Sequence, residues 1–133
     1  MRYLLDTNVC VDYLSGRHPS VVQQLQRTAP QEVAVSAIAV AELRYGADKS
    51  ARPDANHRRL DRFFAEVATL DFDHAAGSAY GRLRTSLERV GTPIGPNDML
   101  IAAQALARDL VMVTDNVSEF ERVEGLPVEN WRV

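Results

Sequence analysis

The sequence predicts an α/β fold: a short, mostly parallel sheet of four or five strands covered by helices on both faces. Three observations predict it. Short apolar segments recur along the 133 residues, continuous at Tyr3–Leu5, Val33–Val35 and Leu110–Val113 and interrupted by Asp71 at Leu70–Phe72, each bounded by polar or turn-forming residues. Helix-length segments separate them, and strand–helix alternation of this kind builds a parallel sheet. Met99 to Ala107 is apolar on nearly every side, with Gln104 its only polar member, as in a helix buried within a domain. No repeat, linker or low-complexity stretch intervenes, so residues 1–133 are expected to form one domain.

The elements follow in order. Tyr3–Leu5 reads as a buried strand that stops at Asp6, and Thr7 and Asn8 can satisfy the free backbone donors of a helix over Val9–Leu14. Pro19–Arg27 is a second helix, with Val21, Val22 and Leu25 on one stripe. Val33–Val35 is the next strand, and Ser36 is a good N-cap for a helix over Ala37–Ala47. Its apolar stripe is read as Ile38, Ala41 and Tyr45, with Glu42 inside it. Lys49–Asn56 is read as a polar loop, and His57–Ala68 as an amphipathic helix burying Leu60, Phe63, Phe64 and Val67. After the strand Leu70–Phe72, Asp73 caps a long helix to Val90 whose stripe is Ala76, Tyr80, Leu83 and Leu87. Gly91, Pro93, Gly95 and Pro96 mark a stiff loop before the buried helix, which carries Asp98 in its first turn. The strand Leu110–Val113, a helical turn over Ser118–Arg122 and an edge strand over Val128–Trp131 complete the chain.

Composition limits the function. Hydrophobic residues make up 46% and charged residues 25%, ordinary for a globular domain. No run approaches the length of a membrane span, and no signal-peptide pattern is visible. The single Cys10 cannot form an internal disulfide, which suits a reducing cytosol and a cytoplasmic protein. The net charge of −3 does not advertise a nucleic-acid binder. Fourteen of the fifteen basic residues are arginine, however, and the planar guanidinium suits phosphate contacts. Arg52, Arg58, Arg59 and Arg62 are the densest supply and the first choice for an RNA-contacting face; Arg82, Arg84 and Arg89 are the alternative.

Four acids carry the chemical signal. Asp6 and Asp115 each follow a buried strand, so both fall at the carboxyl edge of the sheet, where α/β proteins place their reactive groups. Asp98 and Glu42 lie on helices that can close over that edge. Clustered carboxylates repel one another and call for a cation, and oxygen-only donors select Mg2+ or Mn2+ over zinc. His18, His57 and His74 are scattered and offer no competing metal pattern. Thr7, Asn8, Ser36, Thr114 and Asn116 are candidates to orient the acids or a water. The absence of GxxxxGK and GxGxxG motifs argues against nucleoside-triphosphate and dinucleotide chemistry.

Four blocks of this sequence resemble the VapC toxins of the PIN-domain ribonucleases: LLDTN at Leu4–Asn8, AVAELRYGA at Ala39–Ala47, GTPIGPNDMLIA at Gly91–Ala102 and TDNVSEFERV at Thr114–Val123. The resemblance implies a PIN-like three-layer fold and an Mg2+- or Mn2+-dependent endoribonuclease. It further implies a homodimer neutralised by a small VapB-type antitoxin, with a tRNA as the first expectation for the RNA. Motif by motif, Asp6, Glu42 and Asp98 take the three core acidic positions. Many PIN domains carry the fourth acid two residues after the Thr of the last block, where this chain has Asn116. Either Asp115 substitutes as fourth ligand or the site relies on three acids. The rival readings are a catalytically silent PIN-like RNA- or protein-binding module whose acids pair with arginine, and a receiver-like phosphoacceptor domain, which would need a strand-end lysine; the only lysine is Lys49.

Overall fold

The computed structural model describes residues 1–133 as five strands and seven α-helices. In chain order these are β1 (Tyr3–Leu5), α1 (Thr7–Ser15), α2 (Pro19–Arg27), β2 (Val33–Ser36), α3 (Ala37–Asp48), α4 (Pro53–Glu66), β3 (Ala68–Leu70), α5 (His74–Arg89), α6 (Pro96–Ala107), β4 (Val111–Val113), α7 (Val117–Phe120) and β5 (Val128–Glu129). The sheet order is β3-β2-β1-β4-β5, and every neighbouring pair is parallel. The chain steps outward from β1 to β3, then returns and lays β4 on the other side of β1. The order therefore reverses between β1 and β4, the place where open α/β sheets bind their ligands.

Side-chain alternation along the strands divides the interior into two cores, one on each face of the sheet. Leu4, Ala34 and Met112 join α5, α6 and Phe120 on one face. Tyr3, Leu5, Val33, Val35 and Val113 join α1, α2, α4 and Trp131 on the other. The three layers follow from central strands apolar on both faces, β1 and β4 throughout and β2 as far as Ser36. Helix α1 stops where Gly16, at φ 71°, takes the left-handed turn that its missing side chain permits. Asp73 caps α5, its carboxylate accepting from the Ala76 amide at 2.9 Å. No helix is long and apolar enough to cross a membrane.

Several expected boundaries move. The third strand is Ala68–Leu70, not Leu70–Phe72, because Ala34 pairs with Ala68 and Ser36 with Leu70. As an edge strand it exposes Ala68 and Thr69, which weakened its apolar signal; Phe72 instead leaves the sheet and packs on Tyr80. Helix α4 begins at Pro53, which as first helical residue gives up no needed N–H, so the second half of the expected loop is helix. The inward stripe of α3 is Ala39, Leu43 and Ala47, and Tyr45 is 64% exposed. That helix straddles both cores, with Ile38 against one and Val40, Leu43 and Ala47 against the other, so it has no single amphipathic face to read. The last strand is shorter than expected, and Trp131 packs edge-on to Tyr3.

Candidate functional site

Asp6 sits at the switch point. Its backbone N–H donates to Val113 O at 2.9 Å, tying the end of β1 to the end of β4. As N-cap of α1 it is held in extended backbone and turned under the helix start, leaving it 5% exposed. Oδ1 accepts from the Thr7 amide and Oδ2 from the Thr114 hydroxyl, both at 2.8 Å. Burial raises the Asp6 carboxyl above its ordinary value, and the nearby charges of Asp115 and Glu42 add to this; the two hydrogen bonds oppose it.

Glu42 comes from α3, and its Oε1 accepts from the Thr7 hydroxyl at 2.8 Å. Thr7 thus touches both acids, with its amide on Asp6 and its hydroxyl on Glu42. Asp98 lies in the first turn of α6, where helix amide dipoles favour negative charge. Its carboxyl is nevertheless pushed up to about 7, chiefly by burial, then by the charges of Asp6, Glu119 and Glu42. The carboxylates of Asp6, Glu119 and Glu42 thus lie near enough to Asp98 to oppose its ionisation.

Glu119 is the acid that sequence reasoning missed. It stands in the first turn of α7, with Oε1 accepting from the Gly95 amide at 2.6 Å and Oε2 accepting from the Asn116 side-chain amide. Gly95 has no room to spare: a Cβ there would come within 3.3 Å of Asp98 Oδ2 and 3.5 Å of Glu119 Oε1. The sequence did hold a signal, because Asn116 and Glu119 have capping-box spacing, Asn-x-x-Glu.

Asp115 is arranged differently. Its Oδ2 accepts from Arg132 Nη1 at 2.9 Å, while its Oδ1 is buried without a partner. Asp6, Glu42, Asp98 and Glu119 have no cationic side chain within ion-pair distance. Of the other candidates, Thr114 bonds Asp6 and also accepts from the Asn116 amide at 3.0 Å. Ser36 is spent on capping α3, accepting from the Ile38 amide at 2.9 Å, and Asn8 is exposed on α1. Lys49 lies over the Tyr45 ring at the end of α3, far from the strand end a receiver-like site would need.

The donor set, carboxylate oxygens with threonine and asparagine support, fits a hard divalent cation, and the unpartnered Asp115 Oδ1 is a further oxygen at its border. No three of these side chains form a preformed cage, so a cation would have to draw the acids together. A cleft of about 320 Å3 runs from Thr7 and Glu42 between α1, α3 and α4, lined by Val11, Leu14, Leu43 and Leu60. Arg52, Arg58 and Arg62 are exposed on or beside α4. Arg59 is committed to the Leu14 carbonyl at the end of α1 and lines the cleft.

Comparison with known proteins gives a consistent result. The PIN domain family model matches residues 3–126. The chain is 43% identical to ribonuclease VapC2 of Rickettsia felis, covering 98% of each. It is 37% identical to the tRNA(fMet)-specific endonuclease VapC of Shigella flexneri, again covering 98% of each. Among solved structures, a DNA-bound VapBC complex from Salmonella typhimurium superposes with a TM-score of 0.93 at 36% identity, covering 98% of both chains.

Proposed function

The chain belongs to the PIN domain family, among its VapC ribonucleases, and on that premise we propose that it is the toxin of a type II toxin–antitoxin pair: an Mg2+- or Mn2+-dependent endoribonuclease. The observation that carries the reading is the convergence of Asp6, Glu42, Asp98 and Glu119 at the β1–β4 switch point, where burial first, and then the charges of the other three acids, raise Asp98 to about 7. Asp6, Asp98, Glu42 and Glu119 would hold the cation, with Asp115 at the margin. When bound, it supplies a Lewis acid for the phosphodiester and lowers the pKa of an attacking water.

The chain's own residues do the rest. Thr7 and Thr114 hold the Asp6 carboxylate from two sides, so its oxygens cannot rotate away from the edge of the sheet. Asn116 and the Gly95 amide hold Glu119 against Asp98. Asp98, whose carboxyl is raised to about 7 in the metal-free protein, would release its proton on taking the cation. The exposed Arg52, Arg58 and Arg62 give a negative protein a local positive face for the RNA backbone.

A silent binding module would pair its acids with arginine. Only Asp115 is so paired, which favours catalysis. The 37%-identical relative is named for tRNA(fMet), so an initiator tRNA is the first substrate to try. A VapB-type antitoxin is the partner this reading expects, and the apolar cleft ending at Glu42 and Thr7 suits an extended or helical segment of it. We read the working form as a cytoplasmic homodimer. The test is sequencing of new RNA 5′ ends after a brief pulse of expression. A discrete cut in one tRNA, absent with Asp98→Ala, supports the reading; an unchanged set of ends at toxic expression levels defeats it.

A further inference from the structure

Arg132, outside every helix and strand, reaches back across the molecule. Its Nε and Nη2 donate to the two oxygens of Asp12 at 2.7 and 2.9 Å, and its Nη1 donates to Asp115 Oδ2 at 2.9 Å. Asp12, on α1, is 4% exposed, with His18 Nε2 at 3.6 Å as its other basic neighbour. The tail that delivers Arg132 is itself fixed. Trp131 is buried edge-on against Tyr3, and the Arg132 amide donates to Asn130 Oδ1 at 3.0 Å.

The far end of this link is the loop Thr114–Asn116, whose three residues each have a distinct task. Thr114 donates to Asp6, Asn116 donates to Glu119, and Asp115 between them is gripped by Arg132. We propose that Arg132 is a positioning residue of the acid cluster, a strut from α1 to this loop that keeps Thr114 on Asp6 and Asn116 on Glu119. The inference rests on the metal-dependent reading above.

Both Asp12 and Asp115 depend on this one guanidinium. Its planar fork serves three carboxylate oxygens at once, which an ammonium on a flexible stem cannot do. The second oxygen of Asp115 has no partner at all, so Arg132 is the only side chain holding that carboxylate. Without it, two partly or wholly buried carboxylates lose their countercharge. Asp115 then lacks the one contact that anchors the middle of the loop, and Thr114 and Asn116 on either side of it are no longer held in place. The acids then lose their orienting donors although no ligand has been changed, the usual consequence of removing a group that orients ligands from behind.

The test is Mn2+ binding by titration calorimetry, well below each melting point, on wild type, Arg132→Gln, Asp115→Ala, their double variant and Asp115→Asn. Each of the first two single changes should weaken Mn2+ binding about tenfold. The double variant should be no weaker than either single, because both break one link. Asp115→Asn, which keeps an oxygen for Arg132, should stay within about twofold of wild type. The kcat on RNA should fall in step with KM unchanged, and Arg132→Lys should recover part of the melting temperature but not the Mn2+ affinity. A folded Arg132→Gln that melts lower yet binds Mn2+ like wild type has only a structural role, which overturns the proposal. So do additive losses, or an Asn variant as weak as the Ala variant, since Asp115 would then act as a ligand itself. Should Arg132→Gln fail to fold, Asp115→Ala retains the Asp12–Arg132 pair and, read against Asp115→Asn, decides the matter. A wild type that binds no Mn2+ overturns the metal reading and this inference together, an outcome distinct from the others.

Discussion

Neutralising Asp98 should stabilise the protein when divalent cations are removed. Its carboxyl rises from the ordinary 3.8 to about 7, so the folded state keeps a proton that the unfolded chain releases. Between those values the folded state binds more protons, and stability falls as pH rises; above about 7 the full cost is present and the curve is flat. Were the group wholly buried, the cost would be about 4 kcal/mol. The carboxyl is only half-buried, so solvent screening reduces this to about 2 kcal/mol. For a chain of this size that corresponds to a melting-point difference of about 7 °C. Asp98→Asn removes the titrating group while keeping its shape. In EDTA at pH 8 the variant should melt about 7 °C above wild type, and at pH 4 the two should coincide. Added Mn2+ should close the gap at pH 8, because wild type gains a ligand that the variant binds poorly. Differential scanning calorimetry across pH measures all three. A variant that melts at or below wild type at pH 8 in EDTA would show that the Asp98 carboxylate has a favourable partner, and the repulsion argument would be wrong.

Three further outcomes follow from the same geometry. Glu119→Gln should lower cleavage more than tenfold, roughly the cost of disturbing a metal's carboxylate set, and more than Asp115→Asn does; single-turnover rates on one labelled RNA rank them. Thr114→Val removes the hydroxyl that donates to buried Asp6, a bond to a charged group worth about 2 kcal/mol, and thermal melting at pH 7 should show a drop of several degrees. Arg58→Glu with Arg62→Glu should weaken RNA cleavage and flatten its salt dependence while leaving the melting point near wild type, since neither arginine has a hydrogen-bonded partner to lose. If the rate and slope hold, the RNA path runs over Arg82, Arg84 and Arg89.

The sheet was legible because β1 and β4 are apolar throughout and β2 over its first three residues, so the central strands showed themselves without alternation. The exposed edge strand β3 was misplaced by two residues for the opposite reason. Asp6 and Asp98 could be placed from local context, since an acid after a buried strand and an acid opening a buried helix both fall at an edge. Glu42 was singled out from a stripe that the structure does not have; it is half-buried and accepts from the Thr7 hydroxyl. Glu119 was hidden because it looked like an ordinary charge on a short helical turn; only its contacts with Gly95 and Asn116, 24 and three residues away, bring it to the site. The Asp12–Arg132 pair spans 120 residues, and no local pattern reports a contact that long. Arg59 was grouped with the RNA-facing arginines, and its bond to the Leu14 carbonyl, 45 residues away, had no local signal.

The central claim is that a carboxylate-held divalent cation at the β1–β4 switch point cuts RNA. Its most direct test is cleavage of a 5′-labelled initiator tRNA by purified wild type and Asp98→Ala, each with Mn2+ and with EDTA. Product should appear only for wild type with Mn2+. Equal cleavage by wild type in EDTA, or by Asp98→Ala at the wild-type rate, would contradict the account.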